Sequence, residues 1–316
     1  MKRAVLALLL FAAPAHAYVR QVTSNGTPIA FSSGCVFLTP DAKGTRDLPL
    51  DMVVAQINAA ANDWMNATSG CSYLHINIDQ PASGRQPGLD GVNLTIWLQD
   101  NNWGHTVNGT FMPYSADVPA QTTIIFVDDP KSGQNGQILD ADTELNGQYF
   151  KFGVFTTDPT QCSANPCVMD VANTLTHEYG HVIGLDHTCY AGETPTRPVD
   201  NNGNPSPTCG SPPANTPAIL EATMYNFACC GEIKKVTPEA DDVAGFCGIY
   251  PTARDPHACG RVQPHGGDTG CACAVGGRPQ LGGVLLVLTV LVCSRIRRRS
   301  GCARASCGRP RSSGAA

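Results

Sequence analysis

His177-Glu178-Tyr179-Gly180-His181-Val182-Ile183-Gly184-Leu185-Asp186-His187 carries the pattern H-E-x-x-H-x-x-G-x-x-H. Residues four apart on an α-helix are rotated by only ~40°, so His177 and His181 present their imidazoles on one face, close enough for a single ion. Glu178, one residue on, is placed to reach a water beside that ion rather than the ion itself, which is the position of a general base. Gly184 ends or sharply turns the helix in a conformation that a Cβ would oppose, and the chain can then swing His187 back. Three neutral imidazoles leave a fourth position open, the arrangement of a catalytic rather than a structural zinc site. These five fixed positions coincide by chance in only about one chain in 10⁵, which argues against three surface histidines on an ordinary helix.

Outward from this stretch, the spacing predicts a helix over about 170–185 that carries the first two histidines. A second helix is expected over 49–66, where Val53, Ile57, Ala60 and Trp64 recur at intervals of three and four and Gly70 stops the pattern. Strands are expected at 73–78, 92–98, 122–127 and 138–145, separated by clusters of Gly, Pro, Asn and Asp. A last helix is expected over 238–250, with Thr237 as N-cap and Pro238 at the first helical position. From 251 to 270 the composition turns to Pro, Gly, His and Arg without periodicity, as in a stalk.

With these elements placed, the chain resembles the metzincin metalloproteases, and within them the matrixin branch. Thr174 to Glu178 and Gly184 to Thr188 are similar to a matrixin zinc helix, although matrixins usually have Ser where Thr188 stands. Ala222-Thr223-Met224-Tyr225 resembles the Met-turn beneath the zinc, and Thr237 to Gly245 with Ile249-Tyr250 resembles the C-terminal helix with its paired aspartates. The resemblance implies an α+β catalytic domain over 18–252, with a twisted mixed sheet above the zinc helix and a small C-terminal subdomain below. It implies one catalytic zinc on His177, His181 and His187, Glu178 as general base, Gly184 and Met224 as structural residues, and the strand at 122–127 as the partner of an extended protein or peptide substrate. It also implies calcium at Asp140, Asp142 and Glu144, which period-two alternation puts on one face of a strand, with a solvated acidic strand as the other reading. The chain departs from the family in further ways, among them the lack of any His between 106 and 176 for the matrixins' second, structural zinc. No pro-segment is expected between Ala17 and the first helix, no cysteine-switch motif precedes the zinc helix, and the 36 residues between His187 and Met224 are an unusually long insertion.

Charge and the two ends of the chain set the compartment. All 26 acidic residues lie between 18 and 270 against 11 basic ones, a net of −15 that argues against a nucleic-acid partner. Lys2, Arg3, the apolar run 4–13 and Ala15-His16-Ala17 read as a secretory signal peptide over 1–17, cleaved after Ala17. After the stalk at 253–270, Gly270-Cys271-Ala272-Cys273, the short apolar segment 281–293 and an arginine cluster close the chain. This order resembles the myxobacterial C-terminal sorting signal over 271–316, whose cysteine is the processing point. The resemblance implies a sorting peptidase acting at Cys271, a transient inner-membrane stage, and a mature protein on the cell surface or released. An ordinary C-terminal membrane anchor is the other reading.

Fifteen cysteines fit export, and ten of them fall in the exported body. Short closures are expected at Cys162/Cys167 and Cys189/Cys209, with Cys35/Cys71 tying the first strand to the end of the first helix. The expected activity is that of an exported zinc endopeptidase; a surface-displayed binding module with negligible turnover is the rival. For the C-terminus, Cys271→Ser should leave full-length protein in the inner-membrane fraction, and mass spectrometry of surface material that finds peptides from 300–316 would refute processing there.

Overall fold

α2, which spans Val171–Val182, starts where Asp170 turns out of the helical conformation and its carboxylate accepts from the Asn173 N–H at 2.8 Å. The computed structural model describes residues 18–107, 109–157, 166–192, 194, 196–211, 215–262 and the backbone of 272–275. The signal peptide with Ala17, Cys162, Cys271, the apolar segment 281–293 and the arginine tail lie outside the described residues. Before α2 come β1 (Val19–Arg20), β2 (Cys35–Pro40), α1 (Leu50–Thr68), β3 (His75–Ile78), β4 (Asn93–Leu98), β5 (Gly104–Val107), β6 (Thr110–Pro113), β7 (Ala120–Phe126), β8 (Ile138–Asn146), β9 (Lys151–Gly153) and β10 (Val168–Asp170). After it come β11 (Leu185–Asp186), α3 (Pro217–Leu220), α4 (Ala240–Ile249) and β12 (Ala272–Val275).

The class is α+β with a mixed sheet in the order β12-β7-β8-β4-β2-β3. β3, β2, β4 and β8 run parallel, while β7 is antiparallel to β8 and β12 antiparallel to β7. β4 and β8 are buried along their whole length, as strands covered on both faces must be. One face of the sheet takes α1 and α2. α1 turns Val53, Ile57, Ala60, Ala61 and Trp64 inward, on the helical period that the sequence predicts. Trp64 stacks on Phe246 of α4 and donates its ring N–H to the Thr176 carbonyl at 2.9 Å, so one side chain fastens three helices.

Three expectations about the start of the last helix and the disulfide partners change. α4 begins at Ala240 with Glu239 as its cap, not at Pro238 with Thr237, because Asp242 and Glu239 form a reciprocal capping box. Cys35 pairs with Cys259 and Cys71 with Cys247, rather than with each other, because α4 and the chain after it return to the start of β2 and the end of α1. Cys167 pairs with Cys230 instead of Cys162. Cys189–Cys209 is found as expected. The residues that follow α4, expected as a stalk from 253, are pinned to the sheet as far as they are described. Gly34 donates to the Ala258 carbonyl at 2.7 Å, and Arg261 lies over the Phe37 ring while pairing with Asp79 at 2.6 Å. Among the described residues no helix is long and apolar enough to cross a membrane.

The Cys35–Cys259 bond closes a loop with a sequence separation of 224 residues. Cross-linking so long a loop removes much freedom from the unfolded chain, so the Cys35→Ser, Cys259→Ser double variant should lose about 2–4 kcal/mol of stability. Urea unfolding measures this, and an unchanged midpoint would show that 255–262 is held by packing alone.

Candidate metal centre

His177, His181 and His187 each bring one ring nitrogen to within 4.8 Å of the others. Helical spacing aligns the first two. For the third, Gly184 takes φ +98°, and a Cβ there would lie 2.8 Å from the Ile29 carbonyl, so the turn that returns His187 requires glycine on two counts. Leu185 and Asp186 then run as β11 against β1, which fixes the path into His187.

Two of the rings are oriented through the nitrogen that faces away from the centre. Nδ1 of His177 lies 2.6 Å from the Thr223 carbonyl, and Nδ1 of His181 lies 3.0 Å from the Leu185 carbonyl. A carbonyl only accepts, so both Nδ1 atoms carry the proton and both Nε2 atoms present a lone pair. The Nε2 atoms of His181 and His187 are 3.2 Å apart in a buried setting. Ring nitrogens that converge so closely in a buried place suit a shared cation. Burial, then Lys235 and the neighbouring imidazoles, holds His177 well below the ordinary histidine range, which keeps it in the neutral form a metal needs.

Glu178 is buried beside these rings and accepts from the Thr122 hydroxyl at 2.8 Å. Burial raises its carboxyl to about 8, opposed by Thr122 and by Lys235. Lys235 is itself fully buried and donates to the carbonyls of Tyr225 and Phe227, fastening the chain that follows Met224. Met224 is buried against Gly180, where any Cβ would run into its sulfur. The Asp242 carboxylate accepts from the N–H of Thr223 at 2.7 Å and of Met224 at 3.1 Å, so the residue whose carbonyl orients His177 is itself held from α4.

The expected histidines, Glu178, Gly184 and Met224 therefore come together. Thr122, Lys235 and Gln21 join them from distant stretches that no spacing relates to the motif, and Gly180 joins them from one of the motif's open positions. Asp242 belongs to the aspartate pair noted there, and its role follows from its contacts alone.

Asp140, Asp142 and Glu144 sit elsewhere, on the opposite face of the sheet, and they are buried rather than solvated. Asp140 accepts from the N–H of Asp90 and Gly91, and Asp142 from those of Gly88 and Leu94, so both act as acceptors for the loop entering β4. Glu144 accepts from Thr123 at 2.7 Å and from Tyr114 at 3.4 Å. The histidine trio is the single cluster of three or more His, Cys, Asp or Glu side chains arranged for one metal ion among the described residues, so the calcium expectation gains no gathered ligands here. The insertion after His187 closes through Cys189–Cys209 and reaches the segment before β1, where Asn201 donates to the Tyr18 carbonyl at 3.0 Å.

No protein-family model matches the sequence, and no curated protein matches it either.

Burial raises Glu144 from its ordinary 4.5 to about 7. The folded protein therefore holds a proton on this group that the unfolded chain releases, and the group's contribution to stability falls as pH rises from about 4.5 to 7. Glu144→Gln keeps the acceptor for Thr123 and Tyr114 and removes the charge. Its stability relative to wild type should improve by roughly 1–3 kcal/mol between pH 5 and pH 8. Denaturant midpoints at the two pH values measure it, and a difference that does not change with pH would show that Glu144 titrates normally.

Proposed function

We propose that this protein is an exported, zinc-dependent endopeptidase with a metzincin-type catalytic domain, closest in pattern to the matrixins. The observation that carries the reading is the pairing of three converging imidazoles with a buried carboxylate, Glu178, which is steered by Thr122 and contributes no ligand atom to the trio. The donor set is all nitrogen, which suits zinc better than calcium or magnesium. A zinc ion held by His177, His181 and His187 would polarise a scissile carbonyl and lower the pKa of a water.

The protein's own groups supply the rest. Glu178 takes the proton from the attacking water and passes it to the leaving amine, the two halves of general acid–base catalysis. Its burial raises its affinity for that proton, and the Thr122 hydroxyl fixes which oxygen is free to receive it. Thr223 and Leu185 hold two rings in the tautomer that presents Nε2. β7 serves as the strand on which an extended substrate lies, with main-chain hydrogen bonds giving affinity and little sequence selectivity. Its outer edge takes an extended segment in antiparallel register in this chain, where Ala272 pairs with Ile125 and Val275 with Thr122. The disulfides fit a protein that leaves the reducing compartment.

Glu178→Ala should abolish hydrolysis of a generic protein substrate while zinc stays near one per chain, since the change removes the base and no ligand. General-base catalysis contributes roughly 10²–10⁴-fold, so turnover within about tenfold of wild type would refute the role of Glu178. An inactive wild-type protein that still binds zinc would favour the binding module instead, and hydrolysis insensitive to a chelator would refute the zinc dependence.

A further inference from the structure

We propose that Gln21, on the segment that opens the exported chain, is a positioning residue of the metal centre. It would act through the Leu185 carbonyl to hold His181; the inference rests on the metal site read above, though not on the peptidase activity.

The geometry is direct. Leu185 O receives two side chains: Nδ1 of His181 at 3.0 Å and the amide nitrogen of Gln21 at 2.9 Å. The same amide nitrogen lies 3.4 Å from Nδ1 of His181, so the Gln21 side chain borders the protonated edge of the ring. Only 6% of Gln21 is exposed, so the side chain is set apart from bulk solvent. One carbonyl with two lone pairs can serve both donors, and the second donor fixes its direction. Held in that direction, Leu185 O fixes the tautomer and the plane of His181, which sets where its Nε2 points.

Gln21 is in turn immobilised from several sides. Its own N–H donates to the Gly184 carbonyl at 3.0 Å, at the turn that returns His187, and its carbonyl accepts from the Ile29 N–H at 3.0 Å. Arg20 is registered opposite Leu185 and Val19 opposite Asp186. On the far side, the disulfide-closed insertion grips the same segment through a bridge from Val19 to Asp200. A backbone fixed this firmly holds the Gln21 side chain against the ligand turn. It ties the ligand turn to residues that follow the expected cleavage site after Ala17, so the metal centre is completed by the N-terminal segment as well as by α2.

The test separates hydrogen bonding from packing. Gln21→Met keeps the length and volume of the side chain and removes the amide; Gln21→Ala removes both. Zinc affinity of the full exported domain, measured by competition with a chromogenic chelator, should weaken about 10-fold or more in Gln21→Met, within the range seen when partners of ligating histidines are lost. The visible spectrum of the cobalt-substituted protein should shift in the same variant, while the thermal midpoint of the metal-free form stays near wild type. Gln21→Ala should show the same spectral change with an added loss of stability. If Gln21→Met binds zinc within twofold of wild type with an unaltered cobalt spectrum, the positioning role is refuted, whatever the peptidase assay shows. If wild-type protein binds no zinc, the metal centre itself falls and this role with it.

Discussion

The Asp242 carboxylate is the fastening on which the candidate site depends. Its two oxygens accept from the N–H groups of Thr223, Met224 and Glu239, so a single buried side chain starts α4 and holds the segment that passes under α2. Held there, Thr223 aims its carbonyl at Nδ1 of His177, and Met224 lies in the gap that Gly180 leaves on the helix. Burial pushes Asp242 up to about 6, yet three donors on one carboxylate are the compensation that makes a charge tolerable in such a place. Losing the carboxylate would leave these backbone donors buried and unpaired, a cost that falls on the ligand geometry as well as on α4.

Two sets of buried titratable groups lie on opposite faces of one sheet. On the α2 side, Glu178 is accompanied by Lys235, whose ammonium closes on the carbonyls of Tyr225 and Phe227. On the other side, Asp140, Asp142 and Glu144 share one face of β8; the two aspartates hold the approach to β4 through backbone N–H groups, and Glu144 accepts from the hydroxyls of Thr123 and Tyr114. Burial and mutual repulsion push Asp142 well above the ordinary carboxylate range. The polar network makes the loop over 88–94 part of the sheet's cover, which lets a strand rich in acids run through the interior.

Helices and strands were legible because their cause is local. Val53, Ile57, Ala60 and Trp64 recur on the helical period whatever surrounds them, and α1 forms where they predict it. The sequence places the cap of α4 too early because Thr237-Pro238 is a good local start, and Asp242 overrides it through contacts with Thr223 and Met224, 19 and 18 residues earlier in the chain. Disulfide partners were legible only for Cys189 and Cys209, which close a single loop. Cys35 and Cys71 have partners beyond residue 240, and only the return of the chain after α4 shows them.

The motif at 177–187 by itself determined which atoms gather, since the helical repeat and one glycine are enough to bring three imidazoles together. How those rings are held was a matter for the tertiary structure. The Thr223 carbonyl, the Thr122 hydroxyl, Lys235 and Gln21 come from four separate stretches of chain, and no periodicity links them to the histidines. The fate of the acids on β8 was decided in the same way. Alternation puts Asp140, Asp142 and Glu144 on one face, but whether that face meets solvent, an ion or a loop depends on what packs over it. Spacing along the chain sets which side chains point together, and burial against distant residues sets the company they keep.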